Sequence, residues 1–183
     1  MKTNEQTSRP ADDDRPQVLA AGRYLQLVRR GRWEYAQRCG CHGAVVIVAV
    51  TADRELVLTE QFRIPLDRAV IELPAGLVGD EDAGDDTLSA ARRELLEETG
   101  YAAASLEHLT FGPTSAGLSD EVVTLVRARG LRRVAAGGGV GEEQIVVHRV
   151  PLDDVPGWVE RQTARGALVD PKVFAGLFFA LRG

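Results

Sequence analysis

The spacing of apolar positions divides the chain into short strands and a few helices. Residues 1 to about 16 (MKTNEQTSRPADDDRP) are polar, acidic and proline-containing, which predicts a mobile tail. From Tyr24 to Arg38 the pattern predicts two short strands folded around Arg30-Gly31. Ala44 to Val50 is an unbroken apolar run, the mark of a strand buried on both faces, and Ala52-Asp53-Arg54 turns it into the alternating segment ELVLTEQFR. VIELPAG reads as a strand ending at Pro74, followed by an acidic, glycine-rich loop from Leu77 to Asp85. Asp86 to Thr99 has no Pro or Gly and is rich in Ala, Leu, Arg and Glu, so it predicts a helix capped by Asp86 and closed by Gly100.

Further strands are expected near Ser105–Phe111, Val122–Ala128 and Gln144–Val150, with the turn AAGGGVGEE between the last two. The chain then turns helical, from Trp158 to Arg165 and again after Asp170-Pro171. In that last helix Val173, Phe174, Leu177, Phe178 and Leu181 make one apolar stripe, expected to face the core. Mixed strands with a few helices define an α/β (α+β) sandwich, read as a single domain over residues 17–183.

Composition narrows the function classes. Of 183 residues, 44% are hydrophobic, enough for one well-filled core. The longest apolar run is far below the roughly 20 residues that span a bilayer, and the first residues lack the apolar stretch of a secretion signal. No membrane partner is expected. Lys and Arg number 22 against 27 Asp and Glu, a net charge of −5, so nothing favours nucleic acid. Two cysteines, Cys39 and Cys41, have only His42 beside them; they read as a structural pair in a cytoplasmic protein. His108 and His148 are assigned no role, and Trp158 is assigned to packing.

The chemistry concentrates in Arg93-Glu94-Leu95-Leu96-Glu97-Glu98-Thr99-Gly100. On a helix Glu94, Glu97 and Glu98 share a stripe about 100° wide, beside an apolar face of Leu88, Ala91 and Leu95. Neighbouring like charges destabilise a helix by a few tenths of a kcal/mol each. A hard divalent cation such as Mg²⁺ reverses that sign. The alternative is a solvated acidic face with Arg92 and Arg93 as surface partners.

The wider context resembles the signature of the Nudix hydrolases: Arg93, Glu94, Leu95, Glu97, Glu98, Gly100 and Tyr101 match its second half. Asp85, with seven residues between it and Arg93, stands where the family has Glu. Gly76, after Leu73-Pro74-Ala75, resembles the leading Gly, with a spacer three residues longer than the pattern; Gly79 fits the strict spacing but lacks the Pro-Ala before it. The resemblance implies a Nudix α/β/α sandwich with a mixed sheet and an N-terminal antiparallel hairpin used in homodimerisation.

RWEYAQR, EQFR, VIELPAG and GLSDE resemble the ADP-ribose pyrophosphatase branch. That resemblance implies metal ligation by Ala75 (through its carbonyl), Glu94, Glu97 and Glu98, with Mg²⁺ as cofactor and Mn²⁺ as a possible substitute. Glu121 is implied as general base or extra ligand, with Asp120 its competitor, and Arg93 as the group that orients a glutamate. Arg63, Glu72 and Gly76 are implied at the substrate, and Trp33, with Tyr35, as a stacking surface for the base. The implied reaction is hydrolysis of the pyrophosphate bond of ADP-ribose or a related nucleoside diphosphate sugar, to a nucleoside monophosphate and a sugar phosphate. Ala116 replaces a proline typical of the branch, which leaves a broad or GDP-mannose-type range as an alternative. A non-catalytic module that senses ADP-ribose is the rival of another class, and intact glutamates count against it.

Overall fold

The computed structural model describes residues 15–80, 84–141 and 143–183. Most of the expected tail, residues 1–14, lies outside the described residues, as do 81–83 of the acidic loop. The chain forms two compact units, one comprising residues up to Gly40 with Pro113–Glu121, the other Cys41–Gly112 with Val122–Gly183.

In the first unit β1 (Gln17–Ala21), β2 (Leu25–Arg30) and β3 (Trp33–Arg38) form an antiparallel sheet in sequence order. Gly31 takes the left-handed conformation (φ 56°) that closes the β2–β3 turn. The two expected strands are therefore joined by a third, β1, whose short and mostly exposed segment carries no alternation to reveal it. Residues 113–121 attach through the Ala36 N–H, which donates to Leu118 O at 2.8 Å.

The second unit runs through β4 (Gly43–Ala49), β5 (Glu55–Arg63), β6 (Arg68–Glu72), β7 (Ala75–Val78), α1 (Thr87–Thr99), β8 (Tyr101–Ala102) and β9 (Ser105–Pro113). It continues with β10 (Val122–Arg129), β11 (Arg132–Arg133), β12 (Val146–Pro151), α2 (Val155–Ala164), β13 (Leu168–Val169) and α3 (Lys172–Ala180). One four-stranded sheet has the order β7-β4-β10-β9, with β4 parallel to β10 and antiparallel to β7; a second has the order β12-β5-β6-β13.

Strand β4 explains the layering. Its side chains alternate, so Val45, Ile47 and Ala49 join a cluster with Ala90, Ala91 and Leu95 of α1, while Val46 and Val48 join one with Val155, Val159 and Val173 of α2 and α3. Helices cover both faces of this mixed sheet, which is the expected α/β/α arrangement and the reason β4 reads as a continuous apolar run.

Three expectations are corrected. The loop expected from Leu77 begins as strand β7, paired through Val78 to Gly43. Helix α2 starts three residues before Trp158, with a proline in its first turn. The α3 stripe is only half right: Val173 is buried and Leu177 packs on the core, but Phe174 and Phe178 are 51% and 48% exposed and Leu181 is exposed too. The helix is apolar around most of its circumference, so periodicity does not pick its inner face; Gly176, seated against Leu73, does. Cys39 and Cys41 are free, half-buried and in the bend between β3 and β4. His148 Nε2 donates to Glu60 Oε2 at 2.8 Å and its ring meets that of Trp158 in a tilted contact, while His108 is exposed. Among the described residues no helix is long and apolar enough to cross a membrane.

Gly100 closes α1 at φ 74°, and a Cβ there would stand 2.2 Å from Ala135 O. Gly100→Ala is expected to lower the stability by more than the ~1–2 kcal/mol of the left-handed backbone alone, read as a drop in the urea midpoint without a change in slope.

Candidate active site

Helix α1 is positioned before any chemistry is placed on it. Asp86 caps its start, its Oδ1 accepting from the N–H groups of Leu88 and Ser89 at 2.8 and 2.9 Å. The apolar face docks Leu95, Ala90 and Ala91 on the sheet. At the far end the glycine-rich turn folds back: Gly138 N–H donates to Glu98 O at 2.8 Å and Gly139 N–H to Glu97 O at 3.0 Å. No side chain fits at Gly137, where a Cβ would lie 2.4 Å from the Thr99 carbonyl carbon.

This docking drives two carboxylates inward. Glu98 is only 5% exposed; its Oε2 accepts from the Ala75 N–H at 3.0 Å and its Oε1 from Gln61 Nε2 at 3.2 Å. Glu94 lies across Gly76, where a Cβ would fall 2.0 Å from Glu94 Cδ. Gly76 therefore has the close approach that the leading glycine of the pattern needs. Gly79, at φ 84°, would meet the His42 ring instead. Arg93 Nη1 donates to Glu94 Oε1 at 2.8 Å and lies 3.7 Å from Glu97, while Nη2 is 3.5 Å from Asp80 and 3.7 Å from Asp85. One guanidinium thus serves four carboxylates.

Burial pushes the Glu94 carboxyl up to about 7 against the pull of Arg93, and the Glu97 and Asp80 charges add to the rise. Burial likewise pushes Glu98 up to about 8; the Ala75 N–H opposes it, and the charges of Glu94 and Glu143 reinforce it. No Lys or Arg bridges Glu98 among the described residues. Nor, among them, do three or more His, Cys, Asp or Glu side chains already stand together as a ligand set. What α1 offers is hard-oxygen donors, a buried Glu98 and a half-buried Glu94, in a group of five acids of which four share the Arg93 guanidinium, which suits a hard divalent cation and disfavours a soft one.

Arg63 and Glu72, expected at a substrate, face each other on β5 and β6 and form an ion pair at 2.7 Å. Ala75 is on β7, its N–H committed to Glu98. Glu121 and Trp33 belong to the first unit. There Glu121 accepts from Arg38 Nε at 2.5 Å and Thr114 Oγ1 at 3.1 Å, and Trp33 is 57% exposed at the start of β3. Asp120 accepts from Gln37.

Two residues of this neighbourhood escaped the sequence reading. Gln61 holds Glu98 from β5, and only the strand register reveals it. Glu143 follows the glycine-rich turn, accepts from Val140 N–H at 3.0 Å and acts electrostatically on Glu98; the acidic pair Glu142-Glu143 after a glycine-rich stretch was the available signal.

The profile of the NUDIX domain matches residues 41–172. A methanol dehydrogenase activator of Bacillus methanolicus is 38% identical over 104 residues, 57% of this chain and 55% of its own. An ADP-ribose pyrophosphatase of Bacillus subtilis (strain 168) is 38% identical over 119 residues, 64% of this chain and 63% of its own. These alignments thus span 55–63% of those two relatives. A GDP-mannose pyrophosphatase of Cronobacter sakazakii is 31% identical over 150 residues, 78% of this chain and 75% of its own. A solved ADP compounds hydrolase superposes with a TM-score of 0.65 at 21% identity, over 96% of this chain and 95% of that one, and shares the fold.

Between the ordinary glutamate value of 4.5 and values near 7 and 8, the folded chain keeps protons that the unfolded chain has released. Raising the pH through that window therefore favours unfolding. The metal-free protein is expected to melt at progressively lower temperature from about pH 5 to about pH 8. Glu98→Gln is expected to flatten the slope, and Mg²⁺ to restore the wild-type midpoint at the alkaline end. A slope unchanged by Glu98→Gln would remove Glu98 from this account.

Proposed function

The chain belongs to the Nudix family, and on that premise we propose that it is a divalent-cation-dependent hydrolase of ADP-ribose or a related nucleoside diphosphate sugar. The products are a nucleoside monophosphate and a sugar phosphate. The observation that carries the reading is the buried carboxylate of Glu98, held only by neutral donors, with the half-buried Glu94 beside it against the Ala75-Gly76 backbone. A purely structural helix gains nothing from keeping a carboxylate such as that of Glu98 out of water without a cationic partner. Similarity to an ADP-ribose pyrophosphatase and a GDP-mannose pyrophosphatase supports the substrate class.

Glu94 and Glu98, with Glu97 and the Ala75 carbonyl, would hold the cation, Mg²⁺ or Mn²⁺. When bound, such an ion neutralises phosphate oxygens and acidifies water. Arg93 keeps Glu94 in place by its 2.8 Å bond and leaves Glu97 the more accessible of the three glutamates. The attacking water gives its oxygen to phosphorus and its proton to a carboxylate, and the bridging P–O bond breaks. Glu121 is the expected acceptor. Arg38 and Thr114 hold its carboxylate in place, each donating to it. Glu143, close enough to influence Glu98, is the competing acceptor. Arg63 presents a planar fork to a phosphate or ribose hydroxyl once Glu72 yields it, and Glu72 is then free to accept from a hydroxyl. Trp33 would supply an exposed aromatic face for the base, and the exposed Leu25 and Leu27 of β2, further from the hairpin turn, would suit the same sheet to homodimerisation.

A GDP-mannose-type or broader range is the second reading, favoured by Ala116 and by the Cronobacter relative. Phosphate release in a coupled phosphatase assay with Mg²⁺ separates the two, with ADP-ribose, GDP-mannose and UDP-glucose at equal concentration. A preference for ADP-ribose of about tenfold, ~1.4 kcal/mol in the transition state, is expected. No turnover of any of them, with retained binding, would support a sensor instead.

Glu121→Gln is expected to lower kcat by roughly 10²–10⁴ if it takes the proton; the same loss in Glu143→Gln, with Glu121→Gln active, would reassign the role. Gly76→Ala is expected to fold with the Glu94 side chain pushed aside, because the added methyl would stand 2.0–2.2 Å from its Cδ, Oε1 and Cγ. It should therefore need far more Mg²⁺ for activity. Unaltered Mg²⁺ dependence would show that the contact between Gly76 and Glu94 does not position the carboxylate.

A further inference from the structure

Away from α1 the second unit contains a cavity of about 470 Å³, within the size range of small-molecule sites. Its walls come from the β4–β5 turn, the end of β10, Leu152 and the end of α3, and none of the glutamates of α1 lines it. Ala75 pairs with Val46 on β4, whereas the cavity begins at Val50, four residues and about 13 Å further along the strand direction.

Three arginines line it, and two are already committed. Arg127 donates to Glu107 at 3.0 Å and to Phe179 O at 2.9 Å; Arg129 donates to the same Glu107 at 3.0 Å and to Gly183 O at 2.8 Å. These bonds fasten the end of α3 to β10. Arg54 differs: among the described residues its guanidinium makes no ion pair or hydrogen bond. It also sits at φ 61°, a conformation that favours glycine, so the turn keeps an arginine where the backbone would prefer none. Among the described residues Glu107 answers both Arg127 and Arg129, and no carboxylate pairs with Arg54, which is left as the uncompensated positive charge of the lining. Leu131, Leu152 and Ala180 add an apolar wall.

We propose that this cavity is a second binding site, for a small molecule whose terminal oxyanion meets Arg54 and whose uncharged body rests on Leu131, Leu152 and Ala180. A guanidinium fork takes phosphate and carboxylate oxygens alike, so the two headgroups are separate arms of the test. The inference needs no turnover and stands apart from the hydrolase reading.

The test is calorimetric titration of the full chain in EDTA with AMP and with glucuronate, against adenosine and glucose as uncharged counterparts. Saturable binding of either anion at or below about 1 mM is expected, with none for the neutral pair. Arg54→Gly and Arg54→Gln are expected to weaken it by about tenfold or more. Glu98→Gln should bind as wild type does. Glycine suits φ 61°, so Arg54→Gly should melt no lower than wild type, and lost binding in it reports the cavity rather than the fold. Absence of saturable binding by both anions, equal binding of the neutral compounds, or binding lost in Glu98→Gln and kept in Arg54→Gly would each overturn the proposal.

Discussion

One carboxylate held out of water, Glu98, with Glu94 half-covered beside it, is the constraint around which the second unit is arranged. An ionised glutamate in an apolar setting is costly unless something answers its charge, and a fold keeps such groups only where other interactions outweigh the penalty. Here Leu95, Ala90 and Ala91 press α1 onto the sheet, the Ala75 N–H and Gln61 hold Glu98, and the missing side chain of Gly76 makes room for Glu94. Each of these arrangements serves packing and site geometry together. The strand β7, the register of β5 against β6 and the glycine-rich turn all acquire their positions relative to this pair.

Arg93 shows how far that compensation goes. It lies within reach of Asp80, Asp85, Glu94 and Glu97, yet it leaves Glu98 to neutral donors. A single guanidinium shared among four acids is a framework for holding their directions, and it leaves the local charge negative. That residual charge, with oxygen the only donor atom, is what a small hard cation would answer.

Much of this was legible in the order of residues. The cap at Asp86, the closing Gly100 and the i, i+3, i+4 spacing of the glutamates are local properties, fixed by positions within one helix. The seven apolar residues from Ala44 to Val50 marked a strand covered on both faces, and helices do cover both. What could not be read depends on partners distant in sequence. Strands of two residues, such as β8, β11 and β13, carry no periodicity. The inner face of α3 is chosen by Gly176 against Leu73 rather than by its apolar stripe. Gln61 reaches Glu98 only because β5 runs beside β6, and Glu143 matters because the glycines fold back over the end of α1.

That fold-back bears on how the protein is made. The helix and all its acids are translated by residue 99, but the carbonyls of Glu97 and Glu98 find their donors only at Gly139 and Gly138. Ribosomes add about 5–20 residues per second, so for some seconds a nascent chain carries the whole glutamate motif on a helix whose end is still open. Strand β10, the parallel neighbour of β4, is also missing for most of that interval. Products that stop short of the glycine turn therefore hold every acidic residue of the motif yet lack the donors that close the end of its helix.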